Sequence, residues 1–263
     1  MKVQRLTYDE YWGYYWRITA RHKIPGIFKW DQDLVDLITK QCDLPTGATI
    51  LDLGCAGGDQ AKLLARKGYN VTGIDNVSSL IEFAREAFWK EALNGQFLIG
   101  DMRTLEYKEQ FDLCVMLGTF GLHSEKGDRL LLEKINRSLK QKGQAFIDYL
   151  PLESFSKLQH ARTWHAIDGG YALTEQWFDV PTSTYHTRNL HILFEGRIIE
   201  AADEQGYGAK EVVRCYGDRE IELLAETTGF RIKAHLSKKN VGDPDHMPEE
   251  GEPRGILILE KSK

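Results

Sequence analysis

The middle of the chain alternates short apolar runs with amphipathic segments. The apolar runs, which we interpret as strands, lie near residues 49–53, 70–75, 96–100, 111–117 and 143–149. The amphipathic segments, which repeat apolar side chains at helical spacing, lie near residues 59–67, 78–91 and 126–140. Strands that alternate with helices in this way predict an α/β fold, in which a parallel sheet is covered by helices on both faces.

The two flanks of this stretch follow different patterns. Residues 8–22 are rich in tyrosine and tryptophan, and positions 8, 12, 15, 16 and 19 fall on one face of a helix. A second helix is expected over 32–42, capped by Asp31. After Pro151, a short helix over 152–160 precedes runs of strand character at 162–167, 171–179, 184–195 and 197–203, which continue to about residue 215. Because no helix separates these runs, they predict an antiparallel insertion of about four strands.

The last part of the chain returns to the α/β pattern. We expect a helix over 217–228 and two antiparallel strands over 230–237 and 255–261. The predicted organisation is therefore an N-terminal helical segment (1–45), an α/β core (46–150), an antiparallel insertion (151–216), and a C-terminal helix and β-hairpin that complete the core (217–263).

A glycine-rich turn carries the clearest chemical signal. Residues 50–58 read Ile-Leu-Asp-Leu-Gly-Cys-Ala-Gly-Gly, and the next predicted strand ends in Asp75. Glycines let the backbone come close to a ligand, and the following helix N-terminus offers unpaired N–H groups to a carboxylate or phosphate. A carboxylate after the second strand can accept hydrogen bonds from both hydroxyls of a ribose. These parts indicate a nucleoside-containing cofactor; the alternative is a plain turn, with Asp75 capping the next helix.

The spacing of the glycines separates two cofactor classes. The dinucleotide fingerprint G-x-G-x-x-G fails here, because from Gly54 onward its second and third glycines are missing. The run instead resembles motif I of the class I S-adenosylmethionine (SAM)-dependent methyltransferases, written D-x-G-x-G-x-G. Asp52, Gly54 and Gly58 match that motif, and Ala56 stands at its middle glycine. Alanine there matters only if the position requires a positive φ.

The resemblance extends along the core. Asp75 matches the family's ribose-binding acid, and Gly100-Asp101-Met102 matches the segment whose acid takes the adenine amino group. The segments 111–117, 118–123 and 139–147 resemble the family's fourth strand, the loop that faces the transferred methyl group, and its helix-turn-strand region. The resemblance implies a Rossmann-like, seven-stranded, mostly parallel sheet with an N-terminal helical lid. It also implies a SAM site formed by Tyr15, Arg17, Asp52, Gly54, Cys55, Ala56, Gly58, Asp75, Asn76, Asp101, Met102 and Leu117.

The chemistry that the resemblance implies needs few catalytic side chains. A sulfonium is a good leaving group, so proximity and alignment can supply about 7–11 kcal/mol of barrier reduction. His123, just after the fourth strand, is the candidate general base, and Tyr149 at the end of the fifth strand is a candidate substrate contact. A surface histidine and a core tyrosine are the alternatives. Trp164, His165, Arg214 and Tyr216 either line the substrate pocket from the insertion or pack within its sheet.

The N-terminal aromatic residues allow two interpretations. They either pack as the apolar face of an amphipathic helix or form a lid that closes over the cofactor and excludes water. Tyr11, Tyr15 and Arg17 are the candidates for the lid, with Arg17 binding the methionine carboxylate of SAM.

Composition narrows the class of substrate. The net charge of −5 is unlike the basic surface of most nucleic-acid-binding proteins, so no nucleic-acid partner is expected. No run approaches the ~20 apolar residues of a membrane span, and scattered cysteines favour reduced thiols in the cytoplasm. No metal site is expected. The D/N-P-P-Y/F motif of enzymes that methylate a flipped-out adenine or an amide is missing after the fourth strand, where Gly118-Thr119-Phe120 stands, and no Pro-Cys nucleophile occurs.

These observations favour a methyltransferase that moves the methyl group of SAM to N or O of a small molecule and leaves S-adenosylhomocysteine (SAH). We expect it to be a monomer or a homodimer. Methylation of a protein or RNA, a SAM-binding sensor or partner subunit without catalysis, and a nicotinamide-dependent oxidoreductase are the alternatives, the last disfavoured by the glycine spacing.

Overall fold

The computed structural model describes residues 2–15, 29–167, 169–201, 210–236 and 254–262. The helices are α1 (Tyr8–Tyr15), α2 (Lys29–Cys42), α3 (Asp59–Arg66), α4 (Ser78–Lys90), α5 (Glu125–Ser138), α6 (Leu152–Phe155) and α7 (Asp218–Thr227). The strands are β1 (Lys2–Leu6), β2 (Thr49–Leu53), β3 (Asn70–Asp75), β4 (Gly95–Ile99), β5 (Phe111–Met116), β6 (Leu139–Pro151), β7 (Ala161–Ile167), β8 (Gly170–Asp179), β9 (Thr184–Leu193), β10 (Arg197–Ala201), β11 (Lys210–Tyr216), β12 (Phe230–Leu236) and β13 (Gly255–Lys261).

Seven strands form the central sheet, in the order β4-β3-β2-β5-β6-β13-β12. The strands from β4 to β6 are parallel to one another, and β13 runs antiparallel to both of its neighbours. Side chains alternate between the two faces along each strand. On β2, Leu51 and Leu53 pack with the buried residues of α5 and α7, whereas Ile50 packs with those of α2, α3 and α4. The predicted α/β sheet with helices on both faces is confirmed.

Strands β7 to β11 form a second, antiparallel sheet. β8 pairs with β7 on one edge and β9 on the other, and the far edge of β9 is shared by β10 and β11. The end of β11 then pairs with the end of β6, which joins the two sheets. The insertion thus contains five strands rather than about four, because the sequence beyond residue 203 adds β11.

The N-terminal segment is not wholly helical. Lys2–Leu6 forms β1, which pairs in parallel with β10, and the predicted helix over 8–22 is described only as far as Tyr15. Helix α2 begins at Lys29, so the expected capping role of Asp31 is wrong: its buried carboxylate lies inside the first turn and accepts a hydrogen bond from Gln60 Nε2 at 2.6 Å. Helix α6 ends at Phe155 and is shorter than the predicted 152–160.

Three further features concern the described residues taken together. Among the described residues, no helix is long and apolar enough to cross a membrane. All four cysteines are buried thiols. Across the same ranges, no three His, Cys, Asp or Glu side chains converge in a way that could hold a metal ion.

Candidate functional site

The glycine-rich turn connects the carboxyl end of β2 to α3. Gly54, Ala56 and Gly58 all have positive φ angles, of 72°, 46° and 78°. The turn is held against β3, since the N–H groups of Gly54 and Cys55 donate to the Ile74 carbonyl at 2.8 and 3.2 Å. Ala56 therefore occupies a left-handed conformation that costs an L-residue about 1–2 kcal/mol and that glycine adopts readily.

Thr119 lies directly over this turn. A Cβ atom added to Gly54 would lie 2.4 Å from Thr119 Cγ2, and the Thr119 hydroxyl donates to the Leu53 carbonyl at 3.3 Å. The loop after β5 and the turn after β2 are therefore in contact, as expected for parallel strands whose carboxyl ends meet at one edge of a sheet. Glycine at position 54 is required both for its φ angle and for this close approach.

Asp75 ties the same turn to the start of α4. Its Oδ2 accepts from the Ala56 N–H at 3.0 Å and its Oδ1 accepts from the Val77 N–H at 2.9 Å. Burial raises the pKa of this carboxyl, while the backbone N–H groups of Val77, Ala56 and Asn76 act in the opposite direction. Each carboxylate oxygen can accept a further hydrogen bond, so the two backbone bonds leave acceptor sites for a ligand. Asn76, the next residue, is exposed.

Asp52 lies beneath the turn and is 4% exposed. Within the described residues its Oδ2 has no hydrogen-bond partner. Burial, and then the charge of Asp75, raise the pKa of the Asp52 carboxyl to about 7. A buried carboxylate in this state favours a cationic neighbour. Burial also raises the pKa of the Cys55 thiol, so this cysteine is a packing residue rather than a nucleophile.

Asp101 follows β4 and begins the short 3₁₀ helix Met102–Thr104, where it accepts a hydrogen bond from the Arg103 N–H. The Arg103 guanidinium donates to both carboxylate oxygens, from Nε to Oδ1 at 2.9 Å and from Nη2 to Oδ2 at 2.5 Å, and lowers the pKa of Asp101. Met102 is partly buried against the hydrophobic core, as is Leu117 after β5. Asp101 lies at the same edge of the sheet as the glycine turn, and its role with adenine stays a prediction. Arg103 is an ionic partner that the sequence reasoning missed.

His123 is half-buried, and the charges that act on it are those of Asp101 and Arg103. Burial, and then Arg103, lower its pKa, and its Nε2 atom is buried without a hydrogen-bond partner among the described residues. The imidazole is therefore neutral near pH 7 and can act as a base or a hydrogen-bond acceptor. Its position beside Asp101 brings it to the side of the site where the sequence predicts adenine, and a role as general base stays a prediction.

Helix α1 packs over the start of α4. Asp9 accepts hydrogen bonds from the Ser78 N–H at 2.7 Å and the Ser78 hydroxyl at 2.8 Å, so Asp9 rather than Asp75 caps α4. Gly13 is in close contact with Ser79, where a Cβ would lie 2.3 Å from the Ser79 hydroxyl. Tyr11 is 1% exposed and Tyr15 is partly buried. Arg17 lies outside the described residues. The helix is packed against the core, and its action as a lid remains a prediction.

Of the other candidates for substrate contact, the two tyrosines are buried and hydrogen-bonded to protein side chains. The Tyr149 hydroxyl is 2.8 Å from Asp218 and 2.7 Å from His235 Nε2, and the side chain is 1% exposed. The fully buried Tyr216 donates to Asp128 at 2.6 Å, which places it in the core rather than on a pocket wall. Trp164, on β7, is 70% exposed.

Asp148 is a residue that the sequence reasoning missed. It lies near the end of β6 and is 3% exposed. Its Oδ1 accepts from the Gly118 N–H at 2.6 Å, and its Oδ2 accepts from Arg254 at 3.0 Å. The carboxylate therefore holds the loop after β5 in place beside the glycine turn. The signal in the sequence was one acid in an otherwise apolar strand end, Ala145-Phe-Ile-Asp148.

Known proteins match both the sequence of the core and the fold of the chain. Residues 50–143 match a family model described as a methyltransferase domain. (S)-coclaurine N-methyltransferase from Thalictrum flavum subsp. glaucum is 26% identical over 165 residues, which cover 62% of this chain and 44% of that protein. Ubiquinone biosynthesis O-methyltransferase from Rickettsia bellii is 34% identical over 98 residues, which cover 37% and 40%. The chain thus matches less than half of the length of these relatives.

Solved structures match over nearly the whole chain. A SAM-dependent methyltransferase from Clostridium acetobutylicum superposes with a TM-score of 0.72 at 16% identity, covering 97% of this chain and 99% of that one. CalS10, an amino pentose methyltransferase from Micromonospora echinaspora with SAM bound, gives a TM-score of 0.64 at 17% identity and covers 89% and 92%. Residues 50–143 therefore form a methyltransferase domain, in a chain that has the Rossmann-like fold of the SAM-dependent methyltransferases.

Proposed function

We propose that this protein is a SAM-dependent methyltransferase that transfers a methyl group to N or O of a small molecule and releases SAH. The observation that carries the proposal is the geometry of the glycine turn: Asp75 binds the Ala56 N–H across the turn and keeps further acceptor sites for a ligand. The same edge of the sheet brings together Thr119 and the buried carboxylate of Asp52.

The residues present fit the cofactor. SAM carries a sulfonium and an ammonium group. The buried Oδ2 atom of Asp52, which has no hydrogen-bond partner among the described residues, suits a cation. The proposed SAM site consists of backbone groups in the turn, polar side chains for the ribose, the adenine and the cationic part of SAM, apolar side chains beside the adenine, and residues of the N-terminal segment. These are Gly54, Cys55, Ala56 and Gly58; Asp52, Asp75, Asn76 and Asp101; Met102 and Leu117; and Tyr15 with Arg17.

The chain's own contribution to the reaction is positioning. When bound, SAM supplies an activated methyl group whose leaving group is a neutral thioether. Asp148 fixes the loop Gly118–Thr119 beside the turn, and this loop would orient the accepting atom in line with the methyl group. Helix α1, through Asp9 and Ser78, would exclude water from the same edge. The proposed base is His123, which can take a proton where the acceptor still carries one at the reaction pH.

The experiment that tests the proposal is calorimetric titration of the purified protein with SAM, SAH and NADH in parallel. We expect micromolar binding of SAM and SAH and none of NADH. The Asp75→Asn variant should bind SAH more weakly by about 1.5–3 kcal/mol, about 10- to 150-fold, because one charge-assisted acceptor is lost. Asp36→Asn, which changes an exposed acid on α2, serves as the matched control.

Binding of NADH alone would overturn the assignment of the turn. Binding of SAM and SAH should be followed by incubation with a methyl-labelled SAM and fractions of small metabolites. Transfer of label to a small molecule supports the enzyme. Label found only in protein or RNA, when these are added, would reject the small-molecule acceptor, and binding without any transfer would favour a sensor or partner subunit.

A further inference from the structure

His191, on the insertion strand β9, is fully buried, and neither of its ring nitrogens has a hydrogen-bond partner within the described residues. Buried polar side chains in folded proteins are almost always hydrogen-bonded. A side chain that loses its hydrogen bonds to water on burial costs free energy unless other partners replace the water. An unpartnered imidazole is therefore unfavourable for folding. It is expected where a ligand supplies the missing partner.

The rings that cover His191 come from α1. Its imidazole centroid lies 6.0 Å from the ring of Tyr11, 5.4 Å from that of Tyr14 and 6.1 Å from that of Tyr15. The hydroxyl oxygens of Tyr11 and Tyr14 are also buried and, over the described ranges, have no hydrogen-bond partner. Two imidazole nitrogens and two phenol hydroxyls without partners thus lie between one helix and one strand.

The register of the second sheet shows which residues share this face. His191 pairs with Ala172 of β8 and Ile199 of β10, both of them small or apolar, so the imidazole has apolar lateral neighbours. Further along the same face of β9, Thr187 pairs with Glu211 of β11. Side chains two residues apart on a strand point to the same side. The face of β9 that is turned to α1 therefore presents polar side chains, His191 and Thr187, and His191 has apolar side chains on both neighbouring strands.

The electrostatic surroundings keep these groups uncharged. Burial, and then His165, lower the pKa of His191 to about 4. Burial, together with Tyr15 and Glu211, raises the pKa of Tyr11. Arg197, the cation that acts on Tyr14, is ion-paired to Glu195. Near pH 7 the imidazole thus offers one donor and one acceptor, and each phenol offers both, which suits a neutral hydroxyl or an amine better than an anion.

Helix α1 connects the cluster to the start of α4. Tyr11 and Asp9 are two residues apart on α1, and Asp9 binds Ser78, three residues after Asp75. Helix α1 therefore contacts both His191 and the start of α4, which follows the proposed ribose acid. Helix α1 covers His191, so an acceptor reaches the imidazole only when α1 moves away from β9.

We propose that His191 and the hydroxyls of Tyr11 and Tyr14 form the acceptor-binding subsite, where they hydrogen-bond a hydroxyl or amino group of the methyl acceptor. This inference rests on the proposed methyltransferase function. These three residues are assigned to recognition: they determine which acceptors bind and how they are oriented. No proton or methyl transfer is assigned to them.

The first test compares stability with binding in matched variants. His191→Phe removes polar atoms that lack partners, so thermal unfolding of the free protein should occur at the same or a higher temperature than in the parent. His186→Phe is the control. His186 lies on the same strand but points to the opposite face, where its Nε2 atom is hydrogen-bonded to the Thr184 hydroxyl and its ring stacks on Trp177. Clear destabilisation by His191→Phe, equal to or larger than that by His186→Phe, would show that the imidazole has a structural role and would overturn the proposal.

The second test detects a ligand directly. In SAH-loaded protein with ¹⁵N-labelled histidine, the His191 ring signals are followed by NMR while glucosamine, ethanolamine or inorganic phosphate is added at millimolar concentration. We expect glucosamine or ethanolamine to shift these signals and phosphate to leave them unchanged. Tyr11→Phe and Tyr14→Phe each remove one oxygen atom. Each should lower the affinity for the probe that shifts the signals about five- to tenfold, as expected for the loss of one hydrogen bond.

The outcomes separate this inference from the proposed function. His191 signals that respond to none of the probes, or that respond only to phosphate, would overturn the subsite. Retained SAH binding in the same samples would leave the methyltransferase proposal intact. Failure of the parent protein to bind SAH would overturn the proposed function itself and, with it, this inference.

Discussion

Asp52 gives the sharpest prediction about the site, because its ionisation can be measured without a substrate. The carboxyl is buried beneath the glycine turn, and burial and Asp75 raise its pKa from 3.8 to about 7. Asp52→Asn keeps the size of the side chain and removes the charge. We expect this variant to change the pH dependence of folding more than its stability at low pH.

The sign and the size follow from proton linkage. Between pH 3.8 and about 7, the folded protein holds a proton on Asp52 that the unfolded chain has lost. The contribution of Asp52 to stability is therefore greatest below pH 3.8 and is lost as the pH rises toward 7. The slope is about 1.4 kcal/mol per pH unit, and the whole difference amounts to about 4 kcal/mol. Relaxation of the folded protein makes this an upper bound.

The assay is urea unfolding of the parent and of Asp52→Asn at several pH values from about 5 to about 8. The difference between the two free energies of unfolding isolates Asp52, because Asp128, whose pKa is also raised to about 7 by burial, is present in both proteins. As the pH rises to 7, the free energy of unfolding of Asp52→Asn should increase relative to that of the parent by about 1–1.4 kcal/mol per pH unit. Above pH 7 the difference between the two proteins should level off.

Cofactor binding should show the opposite dependence. A cationic ligand favours the ionised carboxylate, so the affinity of the parent for SAM should rise with pH, by up to about tenfold per pH unit below 7, and that of Asp52→Asn should stay flat. Stability curves that run parallel for the two proteins over the whole pH range would refute the reasoning, because they would mean that Asp52 is ionised in the folded protein at every pH tested.

Three further predictions concern the turn and helix α1. Gly54→Ala should lower the free energy of unfolding by more than Gly68→Ala, which has a similar φ of 91° but open space around it; the first should also abolish SAM binding and the second should not. Ala56→Gly should raise stability by up to about 1 kcal/mol in urea unfolding, since relief of the 46° φ angle exceeds the added chain entropy; a loss of stability would contradict this. Asp9→Ala should lower the free energy of unfolding by about 0.5–2 kcal/mol, because helix α4 loses the cap that binds the Ser78 N–H. An unchanged unfolding midpoint would reject the capping role.

The sequence was sufficient for features that local patterns determine. The strands and helices of the core follow from apolar runs and helical periodicity, and the glycine turn with Asp75 follows from a short motif. The family resemblance is confirmed by the matched model and by the fold. Ala56 has a positive φ angle, so the alanine at the middle glycine of the motif does matter for the conformation of the turn.

Features that depend on distant pairing could not be predicted. β1 has no strong strand pattern, and it forms because β10 offers an edge. Aspartate is a residue type that often caps helices, but the carboxylate of Asp31 binds Gln60 of another helix instead. Asp148 and His191 are polar residues within strands, and their surroundings depend on contacts that no local pattern encodes.

Helix α1 joins the two halves of the proposed site. Asp9 binds the start of α4 beside Asp75, while Tyr11 and Tyr14 cover His191. If an acceptor moves α1 away from β9, the same motion strains the hydrogen bonds to the start of α4, because one rigid helix makes both contacts. Occupation of the two sides should therefore be coupled, by no more than the free energy of these contacts, about 1–3 kcal/mol. A short helix with two anchors thus gives a physical reason for cofactor and acceptor to influence each other's binding.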